Sequence, residues 1–351
     1  MESVHEQGGG TADGHANRAE LKGTRMADSS WSVALTVREP APLVLANVAW
    51  HLGQGAREVR VFLDDPGDPV APELEAIPGC IVTRCDEGHW AKRGGRNQMQ
   101  TRRQVYNATL AYQETTANWL IHLDADEFLY QKTPLADELG HLAELPGYLH
   151  LDVRERFYEA GHQAQDIFAG GFRCPSRGIP VFDRALFRDL SPWLAKGLAG
   201  HAAGKAIVPT GRPWRVGIHA PKYGQRRKEN RLAGLPSGSS VILHFDGLTR
   251  DHWIGKLQRY AGLDIEDVNR IAAPHRRAQI AMAREFGGDH EALGAFHDRL
   301  KCLNADEVAR MRDLGLIDDI AFNPAPVIAS VLGERTPDLS AAAFDRALGT
   351  P

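Results

Sequence analysis

The chain has 351 residues, 43% of them hydrophobic and 25% charged, with a formal net charge of -4. That composition is globular, with room for one large domain or two ordinary ones, and its charge argues against a general affinity for nucleic acid. No apolar stretch approaches the ~20 residues of a membrane span, and Cys80, Cys85, Cys174 and Cys302 form no C-x-x-C pair, which fits reduced thiols in a cytoplasmic protein.

Residues 1–30 are rich in Gly, Ala and charge, carry Gly8-Gly9-Gly10, and lack the apolar core of a signal peptide; a disordered tail is expected, with Met26 an alternative start. Ser32–Val37 is apolar and β-branched and reads as a first strand. Leu43–Leu52 shows apolar residues at helical spacing and stops at Gly53 and Gly55. Val59–Leu63 reads as a second strand, ending in the turn signal Asp64-Asp65-Pro66-Gly67, and Cys80–Thr83 as a third. A helix over Gln98–Thr115 leads into a strand at Trp119–Leu123. This alternation predicts an α/β fold with a mostly parallel central sheet flanked by helices.

After Pro134 a long strand is expected at Tyr148–Tyr158, with others at Arg184–Phe187, Ala206–Val208, Val216–His219 and Val241–Phe245. From Arg250 the chain reads as helical, with Trp253, Leu257 and Tyr260 on one face, then Ala278–Phe286, His290–Leu300 and Asp306–Leu314. The expected organisation is a tail (1–30), a main domain (31–250) and a helical C-terminal region (251–351).

Ligands of such sheets sit at the carboxyl ends of the strands. Three ends carry charge: Arg38-Glu39, Asp64-Asp65 and Asp124-Ala125-Asp126. In an extended backbone Asp124 and Asp126 point to one side and can share a hard cation, Mn²⁺ or Mg²⁺. The plainer reading of so short a pattern is a strand-end turn whose carboxylates accept backbone N–H groups. As a site, Asp126 would bind the metal, Asp124 would contact sugar or ribose, and Glu127 would orient a water or a neighbouring ligand. His219 and His244 each end an apolar run. A histidine there is more often structural, yet imidazole is the commonest metal ligand. His244, with Asp246 and Arg250 nearby in sequence, is the first choice and His219 the second.

The run Leu123-Asp124-Ala125-Asp126-Glu127-Phe128-Leu129 resembles the L-D-x-D-E-F-L signature of glycosyltransferase family 2-like nucleotide-sugar transferases, which have a GT-A fold. Further segments are similar in the same order: Thr36-Val37-Arg38-Glu39 (without the family's Asn), Asp64-Asp65, Gln104-Val105-Tyr106-Asn107, Gly204–Val208 with Gly217–Pro221, and Leu243-His244-Phe245 with Trp253–Leu257. The resemblance covers roughly residues 32–260.

It implies a nucleotide diphospho-sugar donor, usually UDP-linked, with Mn²⁺ or Mg²⁺ bridging the diphosphate, and a carbohydrate or glycan acceptor. It also implies Asp124, Asp126 and His244 at the metal, and Arg38, Asp64, Asp65, Asp124, Lys205 and Lys256 around the donor. Lys222 and Arg250 are further cations for the diphosphate. Transfer with inversion needs a carboxylate base. Among Asp152, Glu155, Asp183 and Asp246, the choice falls on Asp183 or Asp246, since Glu155 reads as a salt-bridged residue. The run Arg226–Arg231 reads as a solvated loop or as a closure over an anionic acceptor. Contact with a membrane surface is left open. Two other readings stand: a nucleotidyltransferase, which would carry a Gly-rich basic loop where this chain has Arg38-Glu39-Pro40-Ala41-Pro42, and a non-catalytic carbohydrate-binding protein.

Overall fold

A computed structural model describes residues 29–142, 146–223 and 232–349. Most of the expected tail and the run Arg226–Arg231 lie outside the described residues. The first half comprises β1 (Trp31–Val37), α1 (Ala41–Gly53), β2 (Glu58–Leu63), α2 (Ala71–Glu75), β3 (Cys80–Arg84), α3 (Glu87–Ala91), α4 (Gln100–Glu114), β4 (Trp119–Leu123), β5 (Glu127–Gln131) and α5 (Leu135–Gly140). There follow β6 (Tyr148–Leu151), β7 (Val153–Glu159), β8 (Gly171–Arg173), α6 (Pro180–Phe187), a 3-10 turn (Arg188–Trp193), β9 (Lys205–Pro209), β10 (Gly234–Pro236) and β11 (Ser240–His244). The last part holds α7 (Arg250–Ala261), α8 (Ile265–Ile271), α9 (Pro274–Phe286), α10 (His290–Lys301), β12 (Cys302–Leu303), α11 (Ala305–Asp313), β13 (Ile317–Asp318), α12 (Ala325–Leu332) and α13 (Ala341–Ala347).

The central sheet has the order β10-β6-β9-β4-β1-β2-β3, with β9 antiparallel to both its neighbours and the remaining pairs parallel. All seven residues of β1 are buried. Val33, Leu35 and Val37 pack with α1 on one face, and Ala34 packs with α4 on the other. Burial on both faces is why these strands are continuously apolar rather than alternating. The chain runs outward from β1 through β2 to β3, then returns to the opposite side of β1 as β4. The β1–β4 seam is therefore the switch point at which such sheets open a crevice. This is the expected α/β architecture: a mostly parallel sheet, flanking helices and a largely helical C-terminal region.

A second sheet, β13-β8-β7-β11-β5, was not anticipated. Asp152 breaks the expected strand Tyr148–Tyr158 in two: β6 belongs to the central sheet and β7 to the second. Alternation along one chain cannot show a change of sheet. The expected strand Arg184–Phe187 is instead helix α6, whose first turn holds Pro180. Val216–His219 forms no strand; one isolated bridge, Arg215 to Lys222, lies across that segment. The C-terminal region also gives β12 and β13 to pairings with β7 and β8. Among the described residues no helix is long and apolar enough to cross a membrane.

Candidate active site

Leu123 ends β4 and Glu127 begins β5, so Asp124-Ala125-Asp126 is the turn that carries the chain between the sheets. The Glu127 N–H donates to the Asp124 carbonyl (3.0 Å), and the Asp124 N–H donates to Glu127 Oε2 (2.8 Å). The backbone is a turn rather than an extended strand, and the two aspartates meet different cations. Asp124 takes a hydrogen bond from Gln104 Nε2 of α4 (2.6 Å) and pairs with Lys205 Nζ of β9 (2.9 Å). Asp126 Oδ2 pairs with Lys256 Nζ of α7 at 2.6 Å, with His244 Nε2 at 3.9 Å. Lys205 also reaches Glu127 (2.7 Å), whose other oxygen meets His201 Nε2 (2.9 Å).

The turn is held from behind by Asn47 of α1, fully buried, whose Nδ2 donates to the carbonyls of Ala125 and Glu127, both at 2.9 Å. His51, one turn later, accepts the Leu129 N–H at Nε2 (3.2 Å), so its proton sits on Nδ1 against the Asn47 carbonyl (2.8 Å). Asn47 is a positioning residue. Asn47→Ala is expected to cost about 1–3 kcal/mol through two unmet buried carbonyls. Urea unfolding measures the loss, and an unchanged midpoint would show that the turn needs no such support.

Two lysines face three carboxylates inside the cluster. Burial alone would raise the Glu127 carboxyl, but Lys205 and His201 outweigh it and hold it well below its ordinary value. Asp124 is lowered in the same way, mainly by Lys205. Burial would also discharge Lys205 and Lys256, but neighbouring carboxylates raise both above the ordinary lysine value. His244 is lowered by burial and then by His201, and His219 falls to about 4 by burial and then by Lys205. The His201 ring lies between His219 and His244, with centroids 4.8 and 4.7 Å away. The Nδ1 atoms of His201 and His244 are buried without a hydrogen-bond partner.

The loop that brings in His201 rests on a second network. Glu155 of β7 accepts the N–H groups of Ala199 (2.8 Å) and Gly200 (2.5 Å) and pairs with Arg173 (2.6 Å) and Lys301 (3.4 Å). Lys301 also pairs with Asp246 (3.1 Å), which meets Arg276 at 3.0 Å. Glycine is required at position 200, because a Cβ there would lie 2.5 Å from His244 Cε1. Glu155 is salt-bridged, as expected, but fully buried rather than superficial.

Of the remaining expected residues, Asp246 opposes its own burial through Arg276 and Lys301 and is held well below the ordinary carboxylate range. A carboxylate locked this way has little affinity for an acceptor's proton. Asp183, on α6, accepts from Ser176 Oγ (2.6 Å) and makes no contact with the cluster. Asp64 forms a two-oxygen pair with Arg103 (2.7 Å to each) and meets Arg96 (2.8 Å), which fastens α4 to the end of β2. Arg38, Asp65 and Lys222 are exposed, and Arg250 pairs with Asp298 (3.5 Å) rather than with the cluster. Sequence reasoning missed Asn47, His201, Arg276 and Lys301. The one local signal was Asn47, a lone amide inside an apolar helical run.

As arranged, these side chains do not fit a resident divalent cation. Gln104 and Lys205 hold Asp124, Lys256 holds Asp126, and His244 approaches Asp126 alone. Among the described residues no group of three or more His, Cys, Asp or Glu is placed to hold a metal ion.

The fold and cluster define an α/β protein with its buried charge gathered at a sheet switch point. No protein-family model matches the chain, and no curated protein matches its sequence. Among solved structures it is similar to S. aureus TarS 1-349 (10% identity, 88% of this chain and 82% of that one, TM-score 0.26). It is also similar to HddC from Yersinia pseudotuberculosis (12%, 62% and 77%, TM-score 0.25). A third is a CMP:2-keto-3-deoxy-manno-octonic acid synthetase complexed with CTP (13%, 82% and 98%, TM-score 0.27). TM-scores this low leave the family of the chain open.

Proposed function

We propose that this protein is a glycosyltransferase that takes its sugar from a nucleotide diphospho-sugar, UDP-linked, bound at the carboxyl ends of β1 and β4. One observation carries the reading: Gln104, the run Asp124–Glu127, Lys205, His244 and Lys256 lie in segments that resemble the family's motifs in order, and they meet around one turn. A Gly-rich basic loop after β1, as a nucleotidyltransferase would carry, is replaced by Arg38-Glu39-Pro40-Ala41-Pro42.

The leaving diphosphate gains charge as the glycosidic bond breaks, and fixed cations in a low-dielectric site stabilise that charge. Lys205 is sealed, with no side-chain exposure, and holds Asp124 and Glu127 in place. Lys256 is 21% exposed, so its ammonium can meet the phosphates while remaining on Asp126. A bound Mn²⁺ or Mg²⁺ would need Lys256 to release Asp126; the proposal assigns the counter-charge to the lysines instead. Inversion is the proposed outcome; Asp246 is locked between Arg276 and Lys301 and Asp183 makes no contact with the cluster, so neither is proposed as the base.

The test is incubation with a panel of nucleotide sugars and glycan acceptors. One donor should release its nucleoside diphosphate as product, and Lys256→Met should lose at least about 10-fold in kcat/KM, the lower range for a charged hydrogen bond. Pyrophosphate release from a nucleoside triphosphate would mark nucleotidyl transfer and overturn the reading, and so would inactivity with every donor.

A further inference from the structure

A cavity of about 610 Å³ lies outside the cluster described above, walled by α6, the 3-10 turn after it and residues 194–197. Its size is in the range that takes a small ligand. Three cations line it, Arg184, Arg188 and Lys196, and none comes within 4.0 Å of a carboxylate among the described residues. Its one carboxylate, Asp183, is already satisfied by Ser176 Oγ. The wall is therefore net positive and complementary to an anion.

Its backbone is unusual at two of those cations. Arg188 (φ 49°) and Lys196 (φ 52°) are the two non-glycine residues with positive φ among the described residues. Strained backbone of this kind collects at ligand clamps. Apolar side chains share the lining: Pro180, Phe187, Pro192 and Leu194. Helix α6 has no buried residue, and beside the cavity Ile179 is 49%, Val181 67% and Phe182 37% exposed. A soluble phosphate would need no such apolar surface. Apolar surface beside unpaired cations matches a ligand with an anionic head and an apolar tail.

We propose that this cavity binds a phosphate-bearing lipid, its headgroup among Arg184, Arg188 and Lys196 and its chain against Ile179–Phe182, seating the protein on an anionic membrane surface. This stands apart from the glycosyltransferase reading, because lipid binding is measured without any donor.

Co-sedimentation of the full chain with phosphatidylcholine vesicles, with and without phosphatidylglycerol, tests it. Binding is expected only with phosphatidylglycerol present. The triple variant Arg184→Gln, Arg188→Gln, Lys196→Gln should weaken it about 100-fold, from the usual attraction of each basic residue to an anionic surface. Val181→Asp with Phe182→Ser, both exposed on α6 beside the cavity, should abolish it without lowering Tm, which keeps the test decisive where the triple variant folds poorly. No binding to the anionic vesicles would overturn the proposal. So would vesicle binding that survives the Val181→Asp, Phe182→Ser variant, or inorganic phosphate held as tightly as the vesicles.

Discussion

Lys205→Met is expected to destabilise the protein by about 3–5 kcal/mol, the cost of leaving buried charge without its partner. Lys205 is fully buried and lies 2.9 Å from Asp124 and 2.7 Å from Glu127, and Glu127 has no exposed surface through which water could take over. Met matches the length and apolar stem of lysine, so the loss reports charge rather than volume. Glu127→Gln added to Lys205→Met removes one of the stranded charges and should return part of the loss. Urea unfolding at pH 7 measures both variants. A loss under about 1 kcal/mol, typical of a surface pair, would show that the cluster is solvated and not the sealed network described.

The second large effect is acid destabilisation. His51 and His122 are buried, and burial pushes both down to about 4 from the ordinary 6.5. Both ring nitrogens of His122 lack a hydrogen-bond partner, and the Nε2 of His51 is occupied as an acceptor. Between 6.5 and about 4 the unfolded chain takes up protons that the folded chain refuses, so stability is complete above 6.5 and falls as pH drops toward 4. Each histidine accounts for on the order of 3 kcal/mol once pH is below both values. Glu155 is a further, later loss. Burial would raise it, but Lys301 and Arg173 hold it at about 2 against an ordinary 4.5. Its contribution is present above 4.5 and disappears between 4.5 and 2. The urea midpoint should therefore be flat from pH 8 to 6.5 and fall steadily below, with His122→Leu flattening part of the first decline. A midpoint that stays level or rises from pH 6.5 to 4.5 would contradict the assignment of buried neutral histidines.

The central sheet was legible because burial on both faces makes β1 and β4 uniformly apolar, and because Gly and Pro mark the ends of α1 and β2. The break at Asp152 was not, since residues on either side of it keep the same alternation while joining different sheets. Helix α6 was misread for a related reason: Val181, Phe182, Leu186 and Phe187 fit helical spacing, but a four-residue window over Arg184–Phe187 cannot separate the two periods. In the candidate site, Asp124, Asp126, Lys205, His244 and Lys256 were found because they stand at strand ends or in segments with a family likeness. The same-side argument for the aspartates failed because a chain leaving one sheet for another must turn there. His201, Arg276 and Lys301 carry no local sign; tertiary closure alone brings them to Glu127, Asp246 and Glu155.

Calorimetric titration of the full chain with UDP and UDP-sugars in EDTA tests the central claim most directly, namely that Lys256 and its neighbours form a nucleotide-diphosphate site. The account predicts binding without any divalent ion and a loss of about 10- to 100-fold in Lys256→Met, the range for a charge-assisted hydrogen bond. Absence of binding, equal affinity in Lys256→Met, or binding that appears only when Mn²⁺ is added would contradict it.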